Sequence, residues 1–230
     1  MLEVKQFPYG KDNLGYLVHG EKEAAAIDPG ETGPVLDYLR EKGLVLKEIR
    51  NTHSHGDHTG GNRPLAAAAG VGVVGFRDAG FFQLEGERIE VIPTPGHTAD
   101  SVAFFGPGWL ISGDTIFIAN AGNCPPERLE IFRQSLDRLL TLPEETVLYP
   151  GHDYTARSLR RAEEIDPGNP DREKFQRDYN PPPVASTIGV EKRINPYLRT
   201  DCPAVIAYLK RAGKPAATSA ERFRSFMMGD

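Results

Sequence analysis

Short apolar or alternating segments, separated by turn residues, fill the first part of the chain. Runs of this kind, bounded by Gly, Asn, Asp and Pro, are typical of short strands. The pattern predicts strands over residues 2–7, 16–19, 24–27, 48–52, 71–74, 88–92, 101–105, 109–111 and 147–149. Apolar residues at helical spacing predict three helices between them, over residues 35–42, 62–69 and 129–140. Gly43 and Gly70 are the expected ends of the first two helices.

The pattern changes after residue 152, where we predict no further strand and only helices joined by polar and Pro-rich segments. Asp201 is expected to cap a helix that runs through Lys210, with Pro203 in its first turn. Thr218 and Glu221 have the spacing of a capping box before a last short helix. The chain is therefore expected to be an α/β protein with a C-terminal helical domain. We place the boundary near residue 153, between a first domain over 1–153 and a second over 154–230.

Composition and charge exclude several classes of protein. Of 230 residues, 39% are hydrophobic and 26% are charged, as in ordinary globular proteins. A net charge of −5 without a basic run argues against nucleic-acid binding. No apolar run is long enough to span a bilayer, and the N-terminus lacks the features of a cleaved signal. Two cysteines cannot form a disulfide framework, which favours a cytoplasmic protein. We also expect no membrane partner, and a monomer or small homo-oligomer.

The histidines are the unusual part of this composition. Three of the six lie in the short segment His53–His58, together with Asp57. His97 and His152 stand in two further Gly-containing turns, each after a short apolar segment, and only His19 stands apart. A side chain that follows the end of a strand is held rigidly, which suits a ligand. The candidate metal ligands are His53, His55, Asp57, His58, His97, Asp114 and His152.

The spacing of these side chains predicts two adjacent metal sites. Side chains at i and i+2 of extended backbone point the same way, so His53 and His55 can hold one metal together. Asp57 and His58 come from the next turn and face a slightly different point. Asp114 directly follows an apolar strand and could bind both metals through different oxygens. Imidazole and carboxylate ligands without thiolate suit zinc, iron or manganese, and two such ions generate hydroxide near neutral pH. We expect two divalent metal ions, zinc before iron or manganese.

The order H-x-H-x-D-H, followed by a separate His, Asp and His, resembles the metallo-β-lactamase superfamily at all its ligand positions. This resemblance implies an αββα sandwich. Within the superfamily the chain is similar to the glyoxalase II family, the hydroxyacylglutathione hydrolases. The supporting motifs are THSHGDHTGGN at 52–62, TPGHT at 94–98, GDTIF at 113–117 and GHDYT at 151–155. The most discriminating is STIGVEKRINPYLR at 186–199, which is similar to a segment of that family's C-terminal helical domain.

The resemblance also implies roles for individual residues. By position, one metal would be held by His53, His55 and His97, and the other by Asp57, His58 and His152, with Asp114 shared. Asp57 and Asp114 would be the catalytic carboxylates beside a metal-bound hydroxide. This hydroxide would attack the carbonyl of a thioester such as S-lactoylglutathione and release a 2-hydroxy acid and a thiol. Asp28 matches an aspartate that supports the ligands from behind.

On the substrate side the chain departs from the family. Tyr154 matches a tyrosine that contacts glutathione, but Asn123 and Pro125 stand where the family has a basic residue and then an aromatic. Arg222 and Arg224 are counterparts of a C-terminal basic pair, at a different spacing. The resemblance implies that residues 154–230 bind the substrate. Two hypotheses follow: the carrier is another low-molecular-weight thiol, or glutathione is held by other residues.

Other activities are known on the same scaffold. Persulfide dioxygenases resemble the chain in H-x-H-x-D-H and in the His-Asp-Tyr motif that contains Asp153, but they use a single iron. The segment at 186–199 and the long helical tail argue against them. A lactonase or β-lactamase is disfavoured by the same tail, and a nuclease by the negative charge and the lack of an inserted domain. A non-catalytic binding module is disfavoured because all seven expected ligands are present.

Overall fold

The computed structural model describes residues 1–75 and 80–228. Its strands are Glu3–Tyr9 (β1), Asn13–His19 (β2), Glu23–Ile27 (β3), Val45–Arg50 (β4), Phe81–Leu84 (β5), Glu87–Pro93 (β6), Val102–Gly106 (β7), Trp109–Gly113 (β8), Ile116–Phe117 (β9), Asn120–Ala121 (β10), Val147–Pro150 (β11) and Ser186–Thr187 (β12). Its α-helices are Thr32–Lys42 (α1), Gly56–Thr59 (α2), Asn62–Ala69 (α3), Leu129–Leu139 (α4), Thr155–Ile165 (α5), Pro170–Asp178 (α6), Ile188–Ile194 (α7), Pro203–Arg211 (α8) and Ser219–Met227 (α9).

Two sheets form the centre of the molecule. A four-stranded sheet has the order β1-β2-β3-β4 and is antiparallel except for the pair β3–β4. A six-stranded sheet has the order β12-β11-β8-β7-β6-β5 and is parallel only at β11–β8. Parallel neighbours need a crossover connection, which α1 supplies between β3 and β4. Strands β9 and β10 form a small separate hairpin.

Alternating side chains of β2 and β3 serve two different cores. Tyr16 and Val18 face the other sheet, where they belong to one cluster with Phe104. Leu17, between them in the chain, faces outward and packs with Leu39 of α1. This two-residue period is the geometry of a strand that is covered on both faces. On the far side, α4 covers the six-stranded sheet through a third cluster. The layers run helix, sheet, sheet, helix, and this confirms the predicted αββα sandwich.

The C-terminal region is helical, as predicted. Helices α5, α8 and α9 share a small core formed by Ile165, Val205, Leu209 and Phe226. The capping box is confirmed, since the Thr218 side chain accepts from the backbone N–H of Glu221 and the Glu221 side chain accepts from that of Thr218. No helix among residues 1–75 and 80–228 has the length and apolar character needed to cross a membrane.

Three sequence expectations were wrong in detail. Residues 71–74 do not form a strand: Val73 makes a single bridge to Ile49, and it is exposed between glycine-flanked loops. The expectation of no strand after residue 152 fails at β12, which adds two residues to the edge of β11. The helix expected to be capped by Asp201 has Cys202 as its N-cap, and Asp201 pairs instead with Arg222. Such short pairings and side-chain partners depend on tertiary contacts that a local pattern does not contain.

Candidate metal centre

The structure brings the seven predicted ligands together at one end of the sandwich. His53 and His55 lie in the loop after β4, and Asp57 and His58 lie in the short helix α2 that follows. His97 follows β6, and the remaining two ligands follow β8 and β11. Those two strands are parallel neighbours, with Pro150 in register with Gly113. Their carboxyl ends therefore meet at one edge and place Asp114 and His152 side by side.

The ligand atoms form two groups. In the first group, the Nδ1 atom of His55 lies 3.0 Å from Nε2 of His53 and 3.0 Å from Nε2 of His97. In the second group, Nε2 of His58 and Nε2 of His152 are 3.1 Å apart, and Oδ2 of Asp57 lies 3.6 Å and 3.5 Å from them. Within each group all the ligand atoms lie within 4.8 Å of one another.

Asp114 lies between the two groups. Its Oδ2 atom is 3.5 Å from Nε2 of His97 in the first group and 3.4 Å from Nε2 of His152 in the second. Its Oδ1 atom is 3.4 Å from Nε2 of His58. This oxygen is buried and has no hydrogen-bond partner among the described residues. A carboxylate in this position can serve both groups at once.

Four of the imidazoles, those of His53, His58, His97 and His152, use their outer nitrogen, Nδ1, to contact an oxygen of the protein. Nδ1 of His97 lies 2.8 Å from the carbonyl of Asn123, and Nδ1 of His152 lies 2.9 Å from Asp12. Nδ1 of His58 lies 3.0 Å from Asp28. An Nδ1–H that donates to these oxygens leaves the lone pair on Nε2, which points into the cluster. Two such lone pairs about 3 Å apart, as at Nε2 of His58 and Nε2 of His152, repel unless a proton or a metal cation lies between them.

Asp28 supports both groups from behind. It is fully buried, and its two oxygens accept from the backbone N–H and the hydroxyl of Thr52 at 2.7 Å and 2.6 Å. The Thr52 hydroxyl, whose proton is given to Asp28, accepts in turn from Nδ1–H of His53 at 3.0 Å. One aspartate thus orients His58 directly and His53 through Thr52. Its backbone has φ of 49°, a left-handed conformation that Asp and Asn tolerate better than most residues.

Burial and the carboxylates set the charges in the cluster. Burial, together with the neighbouring His58, lowers the pKa of His53 to about 4. Burial also opposes a charge on His58, but Asp28 and Asp114 outweigh it and raise its pKa to about 10. Burial likewise acts against an ionised Asp114, whose pKa is nevertheless held below its usual range by the neighbouring imidazoles of His152 and His58. The cluster is therefore built from carboxylates that stay ionised and imidazoles of which at least one stays neutral.

Two glycines allow the cluster to close. A Cβ atom at Gly122 would lie 1.8 Å from the carbonyl oxygen of Asp114, and one at Gly151 would lie 2.2 Å from its Oδ1. Any side chain at either position would displace Asp114. The donor set as a whole, with converging imidazole nitrogens and an orphaned carboxylate oxygen, fits a pair of divalent cations.

Sequence reasoning missed two residues of the cluster, Asp12 and Asn13. Asp12 ends the turn between β1 and β2, and Asn13 is the first residue of β2; in the sequence both look like part of an ordinary polar turn. Asn13 donates from Nδ2 to Oδ2 of Asp57 at 2.9 Å, and Asp12 contacts His152. The turn reaches the cluster because the backbone N–H of Leu14 donates to the carbonyl of Gly151. The one local indication of their role is that this Asp-Asn pair lies at the start of a buried strand.

The predicted substrate residues occupy different places. Tyr154 stacks on His152, with ring centroids 4.9 Å apart. Asn123 reaches the cluster through its backbone carbonyl, which any residue would supply. Arg222 contacts Asp201 and the carbonyls of Ala216 and Ala217 within the tail. Among the described residues, the structure does not join Arg222 or Arg224 to the cluster; Arg224 lines a cavity between α4 and α9.

Comparisons with known proteins agree with this geometry. The model of the metallo-beta-lactamase superfamily matches residues 12–89 and 75–152, and that of the hydroxyacylglutathione hydrolase C-terminus matches residues 153–225. A hydroxyacylglutathione hydrolase from Chromohalobacter salexigens is 36% identical over 93% of this chain and 92% of its own length. One from Synechococcus sp. is 38% identical over 90% of this chain and 92% of its own length.

Solved structures show the same fold. ETHE1 from Myxococcus xanthus superposes with a TM-score of 0.71 at 25% identity, over 99% of this chain and 90% of its own. TTHA1623 in a di-iron-bound form superposes with a TM-score of 0.61 at 26% identity, over 84% of this chain and 100% of its own.

Proposed function

The chain belongs to the metallo-β-lactamase superfamily and, within it, to the hydroxyacylglutathione hydrolases, and on this basis we propose its substrate and the roles of its residues. It is a metal-dependent hydrolase that cleaves thioesters of glutathione or a related small thiol to a 2-hydroxy acid and the free thiol. The observation that carries the proposal is the convergence of two ligand groups on Asp114, in a chain whose tail also matches the family's C-terminal region.

The two groups would hold two divalent metal ions, with Asp114 shared between them. His53, His55 and His97 would bind the first, and Asp57, His58 and His152 the second. Metal ions held by these residues would make hydroxide available at neutral pH and would polarise the thioester carbonyl. Imidazole and carboxylate ligands suit zinc, iron or manganese, and of these we propose zinc first.

Asp57 is the carboxylate best placed to move a proton during the reaction. Its side chain is half exposed, whereas that of Asp114 is 10% exposed. Asn13 donates to Oδ2 of Asp57 and fixes the orientation of this carboxylate, which would accept a proton from the attacking water and pass it to solvent. The donated hydrogen bond lowers the pKa of Asp57 against the effect of its partial burial, so that the carboxylate is ionised when it accepts.

The surroundings of the cluster fit a small-molecule substrate. Residues 1–153 would form the metal-binding catalytic domain, and residues 154–230 would contribute to substrate binding, beginning with Tyr154. Two free cysteines, Cys124 and Cys202, are consistent with a reducing compartment, and we propose that the protein acts in the cytoplasm.

Elemental analysis of the purified protein, combined with a thioester assay, tests the proposal. We expect two metal ions per chain and hydrolysis of S-lactoylglutathione that a chelator abolishes and added metal restores. One iron per chain with oxygen uptake on a persulfide substrate, and no thioester cleavage, would replace the hydrolase with the dioxygenase alternative. Failure to hydrolyse any thioester with both metals bound would refute the proposal.

A further inference from the structure

A second cavity lies directly beside the metal cluster, on the side of helix α5. It has a volume of about 510 Å³ and is lined by Lys11, Asp12, Asp153, Tyr154, Arg157 and Arg160, among others. Two of these residues also contact the cluster: Asp12 is 2.9 Å from Nδ1 of His152, and Tyr154 stacks on the same ring. The guanidinium of Arg157 lies 3.9 Å from the centroid of the Tyr154 ring. A ligand in the cavity would therefore lie one side chain away from the proposed reaction centre.

The cations that line this cavity have no carboxylate partner in the part of the chain that the structure describes. Within residues 1–75 and 80–228, Lys11, Arg157 and Arg160 form no ion pair, whereas Arg161 of the same helix pairs with Glu164 at 3.1 Å. Arg157 and Arg160 are three residues apart in α5 and so lie on one face of the helix. Lys11 reaches the cavity from the turn between β1 and β2. Three exposed cations that converge on one cavity favour an anionic ligand.

The cavity also contains acidic groups, which restrict the ligand further. The Asp12 carboxylate contacts His152. Asp153 is exposed, and among the described residues its carboxylate accepts only the backbone N–H of Thr155, at 3.1 Å. A polyphosphate would be repelled by these carboxylates. A group that carries both a carboxylate and an ammonium matches both signs of charge.

On the His97 side of the cluster, residues 123–125 do not provide a comparable binding site for a charged group. The loop that holds His97 presents Asn123, Cys124 and Pro125, and its contact with the cluster is a backbone carbonyl. Neither a cation nor an aromatic ring stands at those three positions. A charged thiol carrier is therefore better recognised on the α5 side.

We propose that the cavity between Lys11 and α5 is the subsite for the amino-acid end of the thiol carrier. This inference rests on the proposed function and assigns the γ-glutamyl end of glutathione, with its α-carboxylate and α-ammonium, to this cavity. The carboxylate contacts Arg157, Arg160 and Lys11, and the ammonium faces Asp153. The glutathione grip is thus built from α5 and the β1–β2 turn, and Arg157 and Arg160 are specificity-determining residues.

Truncation of the carrier tests the assignment. The assay compares kcat/KM for S-lactoylglutathione with kcat/KM for the S-lactoyl thioester of cysteinylglycine, which lacks the γ-glutamyl end. In the variant Arg157→Gln/Arg160→Gln, the preference for the glutathione thioester is expected to fall by about fivefold to tenfold. The same preference in the wild-type protein is expected to shrink at about 0.5 M salt, because exposed charge pairs are screened. Lys210→Gln/Arg211→Gln, on the exposed end of α8, is the matched control and should keep the wild-type preference.

Each outcome decides the proposal. A loss of preference in the α5 variant alone supports it. An equal fall for both thioesters would place the glycyl end in the cavity and overturn the assignment. An unchanged preference, or more efficient turnover of an S-lactoyl coenzyme A thioester than of the glutathione thioester, would also overturn it. If the wild-type protein cleaves none of these thioesters, the proposed function itself fails, which is a separate result.

Discussion

Two regions of this molecule bury charged side chains, and they do so in opposite ways. In the tail, Glu191 is fully buried, and its oxygens accept from the Ser186 hydroxyl at 2.7 Å, the backbone N–H of Ala119 at 2.8 Å and Nδ2 of Asn195 at 2.9 Å. In the metal cluster, the buried Oδ1 of Asp114 has no hydrogen-bond donor among residues 1–75 and 80–228. A buried carboxylate that accepts hydrogen bonds from two segments of the protein links those segments. A buried carboxylate oxygen without such donors needs another partner, such as a bound cation.

Asp114→Asn removes the unsatisfied carboxylate from the metal cluster, and we expect it to have the largest effect. The amide keeps the shape of the side chain, but its nitrogen cannot bind a cation, so the two groups lose their shared ligand. We expect kcat for S-lactoylglutathione to fall about 1,000-fold or more, and the metal content to fall below two ions per chain. Steady-state kinetics and elemental analysis on the same preparation measure both. Asp37→Asn, on the exposed face of α1, is the control and should change neither. Full activity with two ions bound to the Asn variant would show that Asp114 is not shared.

Glu191→Gln tests how the buried carboxylate in the tail affects the pH dependence of stability. Burial raises the pKa of Glu191 to about 7, against hydrogen bonds from Ser186, Ala119 and Asn195 that favour the ionised form. The folded protein therefore holds a proton, between pH 4.5 and about 7, that the unfolded chain has lost. The stability due to this group is present below pH 4.5 and is lost as the pH rises towards 7.

Glutamine cannot ionise and can donate to the Ser186 hydroxyl while it accepts from the other two groups. The free energy of unfolding of the variant, relative to wild type, should thus rise on the order of 3 kcal/mol from pH 5 to pH 8. Urea unfolding at both pH values measures the difference, in which all other titrating groups cancel. A constant difference across this range would mean that Glu191 does not change its protonation.

Asp28→Asn sharpens the comparison, because Asp28 is fully satisfied like Glu191 but lies behind the cluster. Asn accepts the φ of 49°, so the backbone should not change. An amide nitrogen at the place of Oδ1 faces the backbone N–H of Thr52, and one at the place of Oδ2 faces the Thr52 hydroxyl and Nδ1 of His58, so in either orientation an acceptor is lost. We expect metal affinity to fall 10- to 100-fold, as for other residues that orient a ligand. Competition with a chromophoric chelator gives the affinity directly. Unchanged affinity would mean that Thr52 alone fixes the ligands.

The sequence predicted the fold class and the convergence of the ligands because both depend on local pattern. Alternation in β2 and β3 marks a strand covered on both faces, and histidines after strand ends mark positions where a ligand is held. Asp12 and Asn13 were not predicted as part of the site, since their role depends on the bridge between Asn13 and His152, far apart in sequence. Glu191 lay within a recognised motif, but its burial against Ala119 follows from tertiary packing.

The same limit applies to charges in the tail. Arg222 and Arg160 look alike in sequence as basic residues of a helical segment. Only the fold shows that Arg222 is paired with Asp201 and that Arg160 lines a cavity without a carboxylate partner among the described residues. A basic residue can be assigned to a substrate only when its neighbours in the folded chain are known.

Arg222→Gln has the smallest expected effect. It distinguishes a structural role of Arg222 within the tail from a role in substrate binding. Its guanidinium is largely buried and contacts Asp201 as well as the carbonyls of Ala216 and Ala217 before α9. Because Asp201 is exposed, loss of the pair should cost at most about 1 kcal/mol, which lowers Tm by roughly 2–4 °C for a chain of this size. KM for S-lactoylglutathione should stay within about twofold of wild type, because the contacts of Arg222 are used inside the tail. Thermal unfolding and steady-state kinetics measure the two effects separately. A KM raised about fivefold or more without a change in Tm would return Arg222 to the substrate site, and would mean that α9, rather than α5, holds the charged end of the thiol.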